Sequence, residues 1–247
     1  MPDETQRLTK SDGSTVTVSR NGNHHYRVNG GPPLPSVTSL IGHIDGDSFG
    51  AAMGWTRKMI DQSGGDIDAA LKAGKEARDL GTSFHASVET FLKNYLLTSV
   101  LPEGPLFDHW RERFARWDDK KERWVLTNAF FGSEWFVANE SQGYGGTIDA
   151  LSLEPIDGRD GVVIWDWKTK SNIESYEKYG PPKKDVAQLS AYAKAFTSMD
   201  LRLGPVLEGY IGYVMADRID IVPCDLEEGW ELFQLSHRMH TLVKRGK

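Results

Sequence analysis

One predicted strand ends in an acid and a lysine two residues apart. Residues 162–170 read VVIWDWKTK, and this β-branched and aromatic run predicts a strand. Side chains two positions apart share a face of a strand, so Asp166 and Lys168 should lie side by side, while Trp165 and Trp167 face the other way. The pattern fits either a surface salt bridge on an edge strand or a carboxylate and a lysine that act together on a substrate.

A second carboxylate precedes that strand. In residues 143–149, GYGGTID, a glycine-rich turn leads into a strand that carries Asp149. If the two strands pair antiparallel, Asp149 and Asp166 come close together, and close carboxylates repel each other unless a cation lies between them. Oxygen ligands of this kind favour Mg²⁺ or Mn²⁺, so the pair predicts a divalent metal site. The alternative is that Asp149 only caps the turn.

Two helical segments supply further candidates. Residues 81–89, GTSFHASVE, place His85 and Glu89 one helical turn apart on the same face. A histidine nitrogen would complete an Asp/Asp/His metal site, although a single helical histidine is more often structural. Gln188 and Tyr192 are also four residues apart in a predicted helix, where an exposed amide and a half-buried tyrosine are the usual alternative.

The composition limits the class of protein. With 247 residues, of which 39% are hydrophobic, the chain fits one globular domain. Its net charge of −6 argues against a basic surface that binds duplex DNA along its whole length. Its single cysteine, Cys224, excludes an internal disulfide and any four-cysteine zinc or iron–sulfur site. We expect no signal peptide, transmembrane segment or membrane partner, and a cytoplasmic protein of a bacterium or a phage-infected cell.

The patterning predicts the order of elements. An N-terminal β-hairpin turns at Asn21-Gly22, Ser36 caps a short helix, and helices are expected over residues 67–80 and 82–97, separated by Gly81, and over 106–122. Strands then precede and follow a helix over 184–198, and a helix over 226–243 ends the chain. This order predicts an α/β fold with a central mixed β-sheet flanked by helices, with an N-terminal β-hairpin and helical elaboration.

Together the four motifs resemble those of the PD-(D/E)XK nuclease superfamily, and within it the RecB-type exonucleases. They are, in chain order, Gly81-Thr-x-x-His85, Gly146-x-x-Asp149, Asp166-x-Lys168 and Gln188-x-x-x-Tyr192. Leu34-Pro-Ser-Val-Thr38 followed by Trp55 is similar to the entry of the phage and mitochondrial genome maintenance exonucleases. The resemblance implies a restriction-endonuclease-like fold and a single nuclease domain over residues 1–247, in which residues 1–80 are the elaboration and residues 81–247 the nuclease core.

The resemblance also implies roles for individual residues. Its metal ligands would be His85, Asp149, Asp166 and the backbone carbonyl of Trp167. Lys168 would position and activate the attacking water, while Gln188 and Tyr192 would steady the metal site and the scissile phosphate. Glu89 and Glu134 are candidates for supporting the metal ligands. Because four cysteines are lacking, no iron–sulfur cluster of the kind that some relatives bind is expected, and the cofactor would be one or two Mg²⁺ or Mn²⁺ ions.

Local positive charge and aromatic residues suggest where DNA would bind. The candidates are Lys170, Thr169, Tyr144, Arg57, Lys183 and Lys184. The expected function is a metal-dependent DNA exonuclease that acts on single strands or duplex ends in replication, repair or recombination, where a recombinase, a single-strand-binding protein or a helicase would be a partner. A structure-specific endonuclease on the same fold and an inactive DNA-binding module remain alternatives. A metal-free acid/base hydrolase would leave Lys168 and His85 without a role.

Overall fold

The computed structural model describes residues 3–44, 57, 60–61, 63–94, 105–120, 123–170 and 180–245. Trp55, part of the upstream similarity, lies outside these residues. None of the described helices is long and apolar enough to cross a membrane.

The described chain begins with a small antiparallel sheet. Its strands are β1 (Glu4–Thr9), β2 (Thr15–Arg20) and β3 (Tyr26–Val28), in that order. The predicted hairpin is thus confirmed as β2 and β3, and β1 adds a third strand to it. Helix α1 (Val37–Leu40) follows, and the Ser36 side chain accepts a hydrogen bond from the Ser39 backbone N–H, so the predicted cap is confirmed.

A five-stranded mixed sheet forms the centre. Helices α2 (Ile67–Asn94) and α3 (Pro105–Phe114) precede it, followed by a separate two-stranded ribbon of β4 (Ala115–Asp118) and β5 (Arg123–Leu126). The sheet contains β6 (Ala129–Asn139), β7 (Tyr144–Ile156), β8 (Arg159–Thr169), β9 (Val206–Val214) and β10 (Ile219–Pro223). Its order is β10-β9-β8-β7-β6, antiparallel throughout except for the parallel β8–β9 pair.

Helices cover both faces of this sheet. Helices α4 (Lys183–Ser198) and α5 (Leu226–Arg245) enclose one hydrophobic cluster, which includes Ile164 of β8. Helices α2 and α3 enclose the other, which includes Trp165 and Trp167. The predicted alternation along β8 is therefore confirmed, as is the α/β class with a mixed sheet between helices.

Two helix predictions were wrong in detail. Helix α2 continues through Gly81 without a break, and the predicted boundary between residues 80 and 81 falls inside it. The helix predicted over residues 106–122 ends at Phe114. Trp117 instead lies on β4 opposite Trp124 of β5, with ring centroids 5.8 Å apart, and this cross-strand aromatic pair is available only in the ribbon.

Candidate active site

The register of the central sheet aligns the two motif aspartates. The β7–β8 ladder ends at Ala150 opposite Trp165, so the next positions, Asp149 and Asp166, lie across from each other. Beyond that point the Trp167 backbone N–H donates a hydrogen bond of 2.7 Å to Asp149 Oδ2, which fixes the carboxylate at the end of the ladder. The pairing of these strands predicted from the sequence is thus confirmed.

Glu134 lies on β6, at the level of Asp149 on the neighbouring strand β7. The residues on both sides of Glu134 pair with β7, but Glu134 itself leaves the ladder with a φ of +47°. This left-handed conformation is costly for a residue other than glycine. Gln6 of β1 bridges the interruption, because its amide donates to the Glu134 carbonyl at 2.6 Å and accepts from the Phe136 N–H at 2.8 Å.

These features bring three potential metal ligands together. His85 on α2 has its Nδ1 3.5 Å from Asp149 Oδ2. One ligand atom each from His85, Glu134 and Asp149 lies within 4.8 Å of the other two, and all three side chains are half-buried. Of the predicted ligands, the structure groups His85 and Asp149 directly, and it adds Glu134 to them.

The electrostatics of this cluster fit a cation. Burial and the nearby Asp166 charge raise the pKa of Asp149 to about 8, and burial with the Asp149 and Glu89 charges raises the pKa of Glu134 to about 7. Burial lowers the pKa of His85, which favours the neutral imidazole that binds metals. Two carboxylates and a neutral histidine are a suitable donor set for Mg²⁺ or Mn²⁺.

Asp166 contacts the catalytic lysine candidate. Asp166 is 1% exposed, and its Oδ2 lies 2.7 Å from Lys168 Nζ. Burial alone would lower the pKa of Lys168, but the Asp166 and Asp149 carboxylates outweigh it and raise this pKa. The lysine is therefore held as a cation, and it suits charge stabilisation better than accepting a proton.

Helix α4 supports this ion pair. Gln188 Nε2 donates to Asp166 Oδ1 at 3.2 Å and also lies 2.9 Å from the Tyr192 hydroxyl, while Gln188 Oε1 accepts from Lys168 Nζ at 3.4 Å. The helix packs closely on β7, because a Cβ atom at Gly146 would lie 2.2 Å from Tyr192 Cε1. Gly146, three residues before Asp149, thus makes room for Tyr192.

Of the DNA-contact candidates, Tyr144 is excluded by its burial. Its ring is fully buried, packs 4.7 Å from the Phe233 ring centroid, and its hydroxyl donates to the Ala191 carbonyl at 3.1 Å. It cannot stack on a base. Thr169 lies beside α2, and Lys170 lies above the Tyr213 ring with Nζ 5.5 Å from its centroid.

The remaining candidates are exposed or ion-paired. Arg57 and Lys184 are exposed, and Lys183 forms an exposed ion pair of 2.5 Å with Glu228. Glu89 is ion-paired with Lys93 on the same helix. The Trp167 carbonyl stays a predicted ligand.

Sequence reasoning missed two residues that bear on the site. Asp185 is a buried carboxylate on the first turn of α4, 4.0 Å from Lys170 Nζ and 3.3 Å from the Tyr213 hydroxyl. Its position three residues before Gln188 was a usable signal, because that spacing shares a helix face. Arg20 of β2 lies 3.7 Å from Glu134, a contact between distant segments that nothing in the sequence indicates.

Comparisons with known proteins bear on the family. The family model described as the PD-(D/E)XK nuclease superfamily matches residues 62–218, which include His85, Asp149, Asp166, Lys168 and Gln188. No curated protein matches the sequence. The crystal structure of SSO0001 is similar over 83% of this chain and 75% of its own, at 16% identity and a TM-score of 0.34, a likeness too low to carry an argument. The family match, spanning more than half of the chain, agrees with the helix-flanked mixed sheet of a restriction-endonuclease-like fold: the chain belongs to the PD-(D/E)XK nuclease superfamily.

Proposed function

We propose that the protein is a Mg²⁺- or Mn²⁺-dependent deoxyribonuclease that digests single-stranded DNA or duplex ends from a free end. Membership of the superfamily supports a hydrolase that acts on nucleic acids. The observation that carries the proposal is the His85, Glu134 and Asp149 cluster beside the Asp166–Lys168 ion pair. It combines a donor set for a hard cation with a fixed positive charge, which is what phosphodiester hydrolysis requires.

The residues divide the work between them. The ion would be held by His85, Glu134 and Asp149. Asp166, across from Asp149 on the neighbouring strand, would add a further carboxylate beside it. A bound divalent ion supplies positive charge at the phosphate and lowers the pKa of a water molecule. Lys168 presents its ammonium group to negative charge that develops on the phosphate oxygens.

Gln188 keeps Lys168 in place. Its amide group contacts both members of the Asp166–Lys168 pair and is itself held by Tyr192. Because the amide bonds both charged groups at once, it limits the rotation of each. Gln188 and Tyr192 therefore act as positioning residues.

The test uses linear single-stranded DNA labelled at one end or the other. Circular single strands, blocked ends and duplex DNA are run beside it, each in Mg²⁺, Mn²⁺ and a chelator. We expect metal-dependent release of label from one end and no cutting of circles. The order in which the two labels leave gives the direction of digestion.

The matched variants are Lys168→Ala and Lys194→Ala. Lys194 lies on α4, where its ammonium group pairs with Glu227 of α5 and not with a residue of the site. Loss of the Lys168 charge should lower the turnover rate by about 10²–10³-fold, and Lys194→Ala should cut at the wild-type rate. Cutting of circles would favour the endonuclease alternative, and binding without cutting in any metal would favour the inactive DNA-binding module.

A further inference from the structure

A groove along α2 ends at the metal cluster. Its volume is about 650 Å³, and its far end is formed by His85 and Glu134. Along α2 its walls are small or polar residues, namely Gly74, Ala77, Arg78, Gly81 and Thr82. Residues three or four apart lie on the same face of a helix, so these side chains form a continuous strip that leads to His85.

The helix and the sheet approach each other closely along this strip. A Cβ atom at Gly81 would lie 3.0 Å from Thr169 Oγ1, a tighter contact than a side chain normally makes. Gly81 therefore lets α2 settle against the end of β8, and Thr169 forms part of the groove wall. The Thr169 hydroxyl is a hydrogen-bonding group at this point of closest approach, whereas the Thr82 hydroxyl donates to the Arg78 carbonyl at 3.1 Å.

Among the described residues that line this groove, Arg78 carries the permanent positive charge. It is exposed and lies seven residues, or roughly 10 Å, before His85 on the same helix. The residues three and four positions away, Gly74, Lys75, Gly81 and Thr82, include no acid. Among the described residues Arg78 makes no ion pair, whereas Lys72 on the same helix lies 3.8 Å from Glu76.

The distribution of charge in the groove matches a nucleic-acid strand. One end carries Glu134 and Glu89, which repel phosphate in the absence of metal, and the other carries the guanidinium of Arg78. A planar guanidinium with several donors is suited to a phosphate. The volume is within the range of about 300–1,000 Å³ that holds small ligands, which is enough for a short stretch of one strand.

We propose that this groove seats the phosphodiester backbone of a single DNA strand next to the bond to be cut, and that Arg78 binds one of its phosphates. The inference rests on the proposed nuclease function and narrows its substrate from single strands or duplex ends to a single strand. Arg78 is then a binding residue outside the four motifs. The DNA that reaches the metal cluster is a single strand, which is either free or frayed from a duplex end.

The test compares Arg78→Gln with Lys72→Gln, which removes the same charge from the same helix outside the groove. Binding of labelled oligothymidine is measured in chelator over a range of salt concentrations, and KM and kcat are measured in Mg²⁺. For Arg78→Gln we expect a five- to tenfold weaker affinity, between the effect of an exposed ion pair and that of a hydrogen bond to a charged group. The slope of log K against log salt should fall by about 0.7, the value for one phosphate of a single strand. KM should rise and kcat should stay the same.

The outcomes separate this inference from the proposed function. If the wild type cuts DNA but Arg78→Gln keeps the wild-type salt slope and KM, the groove assignment is wrong while the nuclease stands. If blunt duplex binds as tightly as the single strand and depends equally on Arg78, the single-strand assignment is wrong. If the wild type cuts nothing in either metal, the proposed function itself fails. Melting curves check that both variants fold, as surface substitutions normally do.

Discussion

At the scale of residues, the carboxylate of Glu134 lies where its own charge is disfavoured. Burial, Asp149 and Glu89 together raise its pKa to about 7, and Arg20 at 3.7 Å offsets this only in part. Its left-handed backbone adds to the cost. Strained backbone and uncompensated charge tend to occur at functional sites. A divalent cation would relieve the electrostatic part of this cost.

This arrangement predicts how stability depends on pH without metal. The folded protein holds a proton on Glu134 up to about pH 7, whereas an unfolded chain releases it near pH 4.5. Between these values the folded state binds more protons, so stability falls as the pH rises through this window. Glu134→Gln should reduce this fall. The measurement is the melting temperature in chelator from about pH 4.5 to 7.5.

The affinity for Mn²⁺ is a second measurement on the Glu134→Gln variant. Glu134→Gln should weaken Mn²⁺ binding about tenfold or more, because it replaces a charged ligand by a neutral amide. Glu140→Gln is the control, since Glu140 is exposed in the turn after β6. Equal pH slopes and equal Mn²⁺ affinities in wild type and Glu134→Gln would show that Glu134 lies outside the metal site.

At the scale of elements, the contact between α4 and β7 holds the site together. Gly146 lets the Tyr192 ring lie directly on the strand, and Tyr192 in turn holds Gln188. A methyl group at this position would overlap the ring at 2.2 Å in a fully packed core. The motif glycine is thus explained by packing, and its effect on the site passes through the helix.

Gly146→Ala should therefore lower both stability and turnover. Overpacking of this kind costs about 1–3 kcal/mol in the free energy of unfolding, and displacement of Gln188 should lower kcat more than it raises KM. Gly42→Ala is the matched control, because a Cβ there meets no atom within 4 Å. Denaturant unfolding and steady-state kinetics measure both effects. A Gly146→Ala protein as stable and active as Gly42→Ala would refute the packing argument.

Local pattern predicted some elements well and others poorly. The alternation of β8 and the Ser36 cap depend on neighbouring residues, and both were predicted from the sequence. The end of α3 at Phe114 was not predictable, because the residues after it keep a helical pattern and only the partner strand that carries Trp124 makes the ribbon favourable. The helix continues through Gly81, where the missing side chain leaves room for Thr169, and this close approach between distant segments is not visible in the local pattern.

At the scale of the whole molecule, the site is assembled from segments that are distant in the sequence. One or two site residues come from each of five elements, namely α2, β6, β7, β8 and α4. In addition, Gln6 of β1 and Arg20 of β2 contact Glu134. The four motifs and the layer order were readable in the sequence. Glu134 was predicted only to support the ligands. Its place in the metal cluster itself was not readable, because it depends on sheet register and on a single unusual backbone conformation.

The metal on which cutting depends should bind at the cluster of His85, Glu134 and Asp149. The most direct test measures the rate of cleavage of linear single-stranded DNA against Mn²⁺ concentration, for the wild type and Asp149→Asn. The wild-type rate should rise to saturation and vanish in chelator, and Asp149→Asn should show no cleavage above background at any Mn²⁺ concentration. Cleavage by the wild type in chelator, or cleavage by Asp149→Asn at the wild-type rate, would show that this cluster does not hold the catalytic metal.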